Sequence, residues 1–346
     1  MNTPSLHTVG NLGRAAIAAG VLVLPTSARR NLPQRDDRAP LTIVADVPLP
    51  GPATRFDYQS LDSTTGRLYV SHMGAGRLVV FDTRTDGVAG DLPGFPTVTG
   101  VLSVPALHRV YASVTGRHEL AIVDDRTLAT IARVGGIRFP DGIAYAPEAN
   151  TVFVSDESGG VDVAIDAGRN VKVATIALGG EAGNTHFDPR SHRILVAVQT
   201  RNELVAIDPA TRRITRRVSV PCDHPHGFTL DPRRNLAFVS CEGDAKLLVV
   251  DLATMRTTAT FAVGDDPDVL ALDASLGRLY VASESGTVSV FAEDGASLRR
   301  LGSIHAPHAH SVAVDQSTHR VYLPLQNVNG RPVMRIMTAT STATTG

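Results

Sequence analysis

The chain repeats one short pattern seven times at a period of about 42 residues. The copies read GRLYVSH from Gly66, HRVYASV from His108, NTVFVSD from Asn150 and HRILVAV from His192. NLAFVSC from Asn235, GRLYVAS from Gly277 and HRVYLPL from His319 complete the set. A fixed period in this range is the mark of a repeat architecture, in which each unit buries its apolar face against its neighbours. The pattern inside one unit decides which architecture. From His226 the fifth unit runs HGFTLDP, NLAFVSC, KLLVVDLAT and RTTATFAVG. These are four short runs rich in Val, Leu, Phe, Ala and Thr, separated by Asp-Pro, Gly-Asp and Ala-Thr punctuation, with no helical apolar period. Four antiparallel strands repeated seven times predict an all-β, seven-bladed β-propeller. The last unit lacks a clear fourth strand, and LTIVADVPL from Leu41 supplies a spare one. The expectation is that this segment completes the last blade and closes the ring without exposed edges.

The (G/H)RLYV(S/A) strand followed by a V-x-V-[FI]-D strand resembles the units of the YVTN or YncE-like family of bacterial propeller proteins. The resemblance covers residues 41–337. It implies the propeller fold but leaves function open, because that superfamily includes binding proteins, lactonases, lyases and haem-carrying domains. Likeness to haem d1-type propellers adds a protein-interaction scaffold near an electron-transfer chain. No Cys-x-x-Cys-His is present, so covalent c-type haem is excluded.

Lys and Arg total 33 against 34 Asp and Glu, a net charge of −1, which offers no electrostatic case for nucleic acid or an anionic membrane. Trp is absent, against WD40 units and the Trp-bearing blades of quinoprotein dehydrogenases. Arg14 precedes AAIAAGVLVLP, and Thr26-Ser27-Ala28 is a small-residue cleavage site. Residues 1–28 therefore read as a secretory signal, too short to span a membrane, and imply a periplasmic or secreted protein. Residues 29–40 read as a linker and 338–346 as a low-complexity, disordered tail.

Register locates the chemistry. In a propeller blade the innermost strand starts at the top face and the second strand ends there. The equivalent first-strand positions are Asp57, Thr99, Asp141, Gly183, His226, Asp268 and His310, and each is expected to face the channel near its top mouth. Two residues earlier lie Arg55, Thr97, Phe139, Glu181, His224, Asp266 and His308, on the rim above. The second strands end at His72, Val114, Asp156, Val198, Cys241, Ser283 and Leu325, followed by an outer ring that includes Glu157, Glu242 and Glu284. Hairpin pairing puts Cys241 roughly opposite His226.

Two carboxylates about 6 Å apart repel by roughly 2–3 kcal/mol at an effective dielectric near 20, so such a mouth calls for a divalent cation, protonated His or a cationic ligand. Imidazole with carboxylate suits Zn, Fe, Mn, Cu or Ni. The candidate metal ligands are Asp57, Asp141, His224, His226, Asp268, His308 and His310. Successive residues of an extended segment point to opposite faces, so one His of each His-x-His pair can face the channel and the other the rim. A wet, merely polar channel and an organic-ligand site fit the same ring of residues. If the site is an enzyme's, a lactonase- or lyase-like reaction would use His226, His310, Glu242 or Glu284 to move protons. Without turnover, the same mouth is a binding site for a metal or small ligand.

Other recurrent residues read as structural. His108, His192 and His319 fall in the tight turn where other units carry Gly66, Asn150, Asn235 and Gly277, residue types that tolerate positive φ. Asp82, Asp124, Asp166, Asp208 and Asp251 end the third strand, as Asx turns require. Cys222 and Cys241 both lie at the top of blade five, where a disulfide and a soft-metal site including His226 are the alternatives.

Overall fold

The structure is a computed structural model that describes residues 39–340. The expected signal sequence (1–28), nearly all of the linker and the tail from residue 341 lie outside the described residues.

Apolar alternation in each 42-residue unit builds four antiparallel strands, and seven such sheets form the ring. The innermost strands are Gln59–Asp62, Val98–Val104, Pro140–Ala146, Ala182–Asp188, Pro225–Asp231, Pro267–Asp273 and Ala313–Asp315. The second strand of each blade carries the repeat motif, as in Leu236–Cys241, which is buried throughout. Outermost strands such as Arg256–Ala262 alternate exposed and half-buried positions, the pattern of a sheet with one face to water. Blade seven is composite: Ala313–Asp315, Arg320–Val328 and Arg331–Ala339 are completed by the N-terminal strand Leu41–Pro48. The strand Arg331–Ala339 runs two residues past the expected end of the propeller.

The core lies between blades. Tyr69, Tyr111, Phe153, Phe238, Tyr280 and Tyr322, equivalent residues of the repeat motif, are all fully buried. Each contributes roughly 2–3 kcal/mol by area removed from water. The apolar cluster beside blade five joins Leu204 and Ala206 of blade four to Leu248 and Val250 of blade five. No helix among the described residues is long and apolar enough to cross a membrane.

Five of the innermost strands carry a bulge at the same place, between Val98 and Val101, Pro140 and Ile143, Ala182 and Thr185, Pro225 and Phe228, and Pro267 and Leu270. A bulge leaves a residue unpaired and re-aims its side chain. It also corrects the expected pairing in blade five: Cys241 faces Pro225, and His226 sits in the bulge one residue on.

Candidate functional site at the top mouth of the channel

The bulged residues are the ones that face the channel. Glycines follow three of them, Gly100, Gly142 and Gly227, and let neighbouring innermost strands close in: a Cβ on Gly100 would stand 1.9 Å from the carbonyl oxygen of Asp141, and one on Gly227 only 1.5 Å from that of Asp268. Hydroxyls of adjacent blades satisfy these carbonyls, with Ser113 Oγ donating to Asp141 at 2.7 Å and Ser240 Oγ to Asp268 at 3.4 Å. The ring is therefore pinched at its mouth, and five side chains from five blades converge there. Asp57, Asp141, His226, Asp268 and His310 are each less than a tenth exposed.

Each imidazole lies between carboxylates. His226 Nδ1 is 2.8 Å from Glu242 Oε1 and 3.1 Å from Asp268 Oδ1, while its Nε2 is 3.6 Å from Asp141 Oδ2. His310 Nε2 is 3.7 Å from Asp57 Oδ1 and 4.0 Å from Asp268 Oδ2, and its Nδ1 is 3.7 Å from Glu284 Oε2. These approaches satisfy distance but not direction: both ring nitrogens of His226, Nε2 of His310 and Oδ2 of Asp141 are buried without a hydrogen-bond partner.

Titration follows the crowding. Burial alone would lower His226, but Asp141, Asp268 and Glu242 outweigh it and hold its pKa well above the ordinary imidazole value. His310 is raised in the same way, chiefly by Asp57 against the opposing effect of burial. Asp57 is pushed up to about 6 by burial, despite His310. Asp268, although buried, is held below the usual range by its two imidazole neighbours. Glu157, which was not among the expected site residues, is pushed up to about 7 by burial and by Asp141. In the absence of a cation, the surrounding carboxylates favour the protonated form of both imidazoles.

Two expected ligands stand apart. His224 and His308 lie on the rim with left-handed backbone, φ 51° and 62°, as do the equivalent Thr97 and Asp266. That conformation turns them off the strand alternation. His224 is half-buried beside Asp223, with Nδ1 3.1 Å from Oδ1, and His308 is exposed. His72, at the end of a second strand, is also taken up structurally: it stacks on Phe56, and its nitrogens meet the Pro50 carbonyl and the Thr54 hydroxyl. Cys222 and Cys241 form a disulfide, which ties the lead-in to His226 to the residue before Glu242.

Tyr58 and Asn184 also belong to the site, and the sequence reading missed them. Tyr58 donates to Asp268 Oδ1 at 3.3 Å and accepts from Asn184 Nδ2 at 3.0 Å, bridging blades one, four and six across the channel. A signal existed: they occupy the position after the channel-facing ring, which is Gly100, Gly142 and Gly227 elsewhere. On the rim Arg55 meets Glu284 at 2.6 Å.

Three donor atoms from Asp57, Asp268 and His310, and three from His226, Glu242 and Asp268, lie within 4.8 Å of one another in each set. Donors bound to one transition-metal ion at about 2.0–2.2 Å are separated by up to roughly 4 Å, so each set needs only small side-chain adjustments to hold an ion.

Fold and site together define a seven-bladed β-propeller with an acidic, imidazole-bearing top mouth. No family model matches the chain. It is homologous to the YncE proteins of Salmonella typhimurium and Salmonella typhi, each 25% identical over 187 residues, 51% of this chain and 51% of the relative. The chain thus spans about half the length of the curated relatives it matches. Among solved structures, a chain of Kuenenia stuttgartiensis hydrazine synthase superposes with a TM-score of 0.71 at 16% identity, over 87% of this chain and 98% of the other. The WD40 repeats of RRP9 superpose at 0.74 with 9% identity, over 88% and 99%. At these identities the likeness is one of fold alone.

Proposed function

We propose that the protein is an exported propeller that binds a divalent cation, with a small ligand on it, at the top mouth of its channel. The observation that carries this reading is the set of buried, unpartnered imidazole nitrogens facing carboxylate oxygens from separate blades. Unmet buried polar atoms cost roughly 1–3 kcal/mol each, and a cation bound by them removes that cost. The disulfide supports export, since such bonds persist in oxidising compartments.

Elemental analysis of protein purified without a metal-binding tag tests the reading, beside a His226→Ala/His310→Ala variant. Near-stoichiometric metal in the parent, lost in the variant, is the expected result. No metal in either, even after reconstitution, would overturn it.

A second reading, a metal-dependent lyase or lactone hydrolase at the same mouth, is favoured by Glu157. Its carboxyl, near pH 7 and outside both donor sets, is poised to move protons at neutral pH. Turnover on a lactone panel, abolished by chelator and by Glu157→Gln, separates this reading from binding alone.

A further inference from the structure

The two donor sets share one residue, Asp268, and its two oxygens face different ways. Oδ1 lies 3.1 Å from His226 Nδ1, and Oδ2 lies 4.0 Å from His310 Nε2. Each set holds one imidazole, this shared carboxylate and one carboxylate of its own, Glu242 on one side and Asp57 on the other. We propose that the mouth holds two divalent cations bridged by the Asp268 carboxylate, one ligated by His226 Nδ1 and Glu242, the other by His310 Nε2 and Asp57. This rests on the cation-binding reading above and goes beyond it in number and arrangement.

Three further features fit a pair better than a single ion. First, each imidazole turns its other nitrogen to a carboxylate outside the donor set, His226 Nε2 to Asp141 at 3.6 Å and His310 Nδ1 to Glu284 at 3.7 Å. Neither contact is a hydrogen bond at these distances, but a metal-bound His ordinarily hands its second N–H to such an outer carboxylate, and each ring has one in place for that role. The arrangement occurs twice, once per set. Second, Tyr58 donates to Asp268 Oδ1 at 3.3 Å and is itself held by Asn184, so the bridging group is the one anchored from across the channel. Third, the charges match. Asp57, Asp141, Asp268, Glu242 and Glu284 carry five negative charges, and Arg55, paired with Glu284, carries one positive. With neutral imidazoles that leaves four negative charges, the charge of two divalent cations. One ion would leave part of it to be offset by a proton on the second imidazole, whereas two ions offset it with both imidazoles free to ligate. Paired ions held by a bridging carboxylate sit about 3.5–4 Å apart, a spacing that one carboxylate spans.

The test is a titration of the metal-free protein with Mn²⁺, read by bound-metal analysis and electron paramagnetic resonance, with Zn²⁺ as a second probe for stoichiometry. The expected result is two ions per chain, with a spectrum broadened by exchange between neighbouring ions rather than the six lines of isolated Mn²⁺. Asp57→Asn and Glu242→Gln should each retain one ion and restore the six-line spectrum, and Asp268→Asn should lose the exchange coupling. Circular dichroism and the melting temperature establish that each variant is folded. One ion per chain with an isolated spectrum would overturn the pair while leaving the single-cation reading standing. No Mn²⁺ and no Zn²⁺ bound would overturn both.

Discussion

Asp162 occupies the third strand of blade three, at the position that is Leu78, Leu120, Leu204, Leu247, Val288 and Met334 in the other six blades. It is fully buried, and neither carboxylate oxygen has a hydrogen-bond partner. Burial pushes its pKa up to about 7. A carboxyl raised in the folded state ionises first in the unfolded chain. Stability is therefore lost as pH rises from about 4, the ordinary value, to about 7, and the full penalty applies above that. Asp162→Leu restores the residue of the neighbouring blades and should stabilise the protein. Its advantage should grow by roughly 2–3 kcal/mol between pH 5 and pH 8. Urea unfolding in chelator at the two pH values checks this, and an advantage independent of pH would refute it.

At the scale of the strand, the bulge and the glycine after it decide where the site residues meet. Gly227 lies where any Cβ would overlap the Asp268 carbonyl, so Gly227→Ala must push apart the innermost strands of blades five and six. The expected cost is on the order of 2–4 kcal/mol, that of overpacking against backbone. The proposed metal binding should fall with it, because Asp268 moves. Gly135, in an outermost strand with nothing within 4 Å of its would-be Cβ, is the control, and Gly135→Ala should change stability by less than about 0.5 kcal/mol. Thermal melts of the two variants make the comparison, and equal melting temperatures would contradict the pinch.

For the whole molecule, closure is the governing event. The strand Leu41–Pro48 pairs along its length with Arg331–Ala339, and Arg335 makes a two-pronged ion pair to Asp46 across that seam. At the adjoining junction Arg320 of blade seven reaches Asp86 of blade one. Deleting residues 41–48 opens the edge of Arg331–Ala339 and uncovers part of the blade-seven core, including Met334 and Ile336. The truncated chain should melt at lower temperature and without cooperativity, and should associate through the open edge. Size-exclusion chromatography with calorimetry tests this; a monomer melting like the parent would show that closure contributes little.

What the sequence alone determined was everything that repeats. The 42-residue period carried the blade count, the four strands, the closing strand at Leu41 and the ring of channel-facing positions. It also separated turn residues from site residues: His108, His192 and His319 sit at φ 51°, 55° and 58°, and Asp124, like its equivalents, caps its turn by accepting main-chain N–H bonds. These are local matters, settled within one unit by backbone sterics and strand alternation. Contacts between units are not periodic. That His226 meets Glu242 and Asp268 while His224 turns to the rim depends on a bulge and a left-handed residue. That Tyr58 reaches Asp268, 210 residues away, depends on the radius of the closed ring. No spacing along the chain encodes a distance across the channel, which exists only once seven blades have packed and closed.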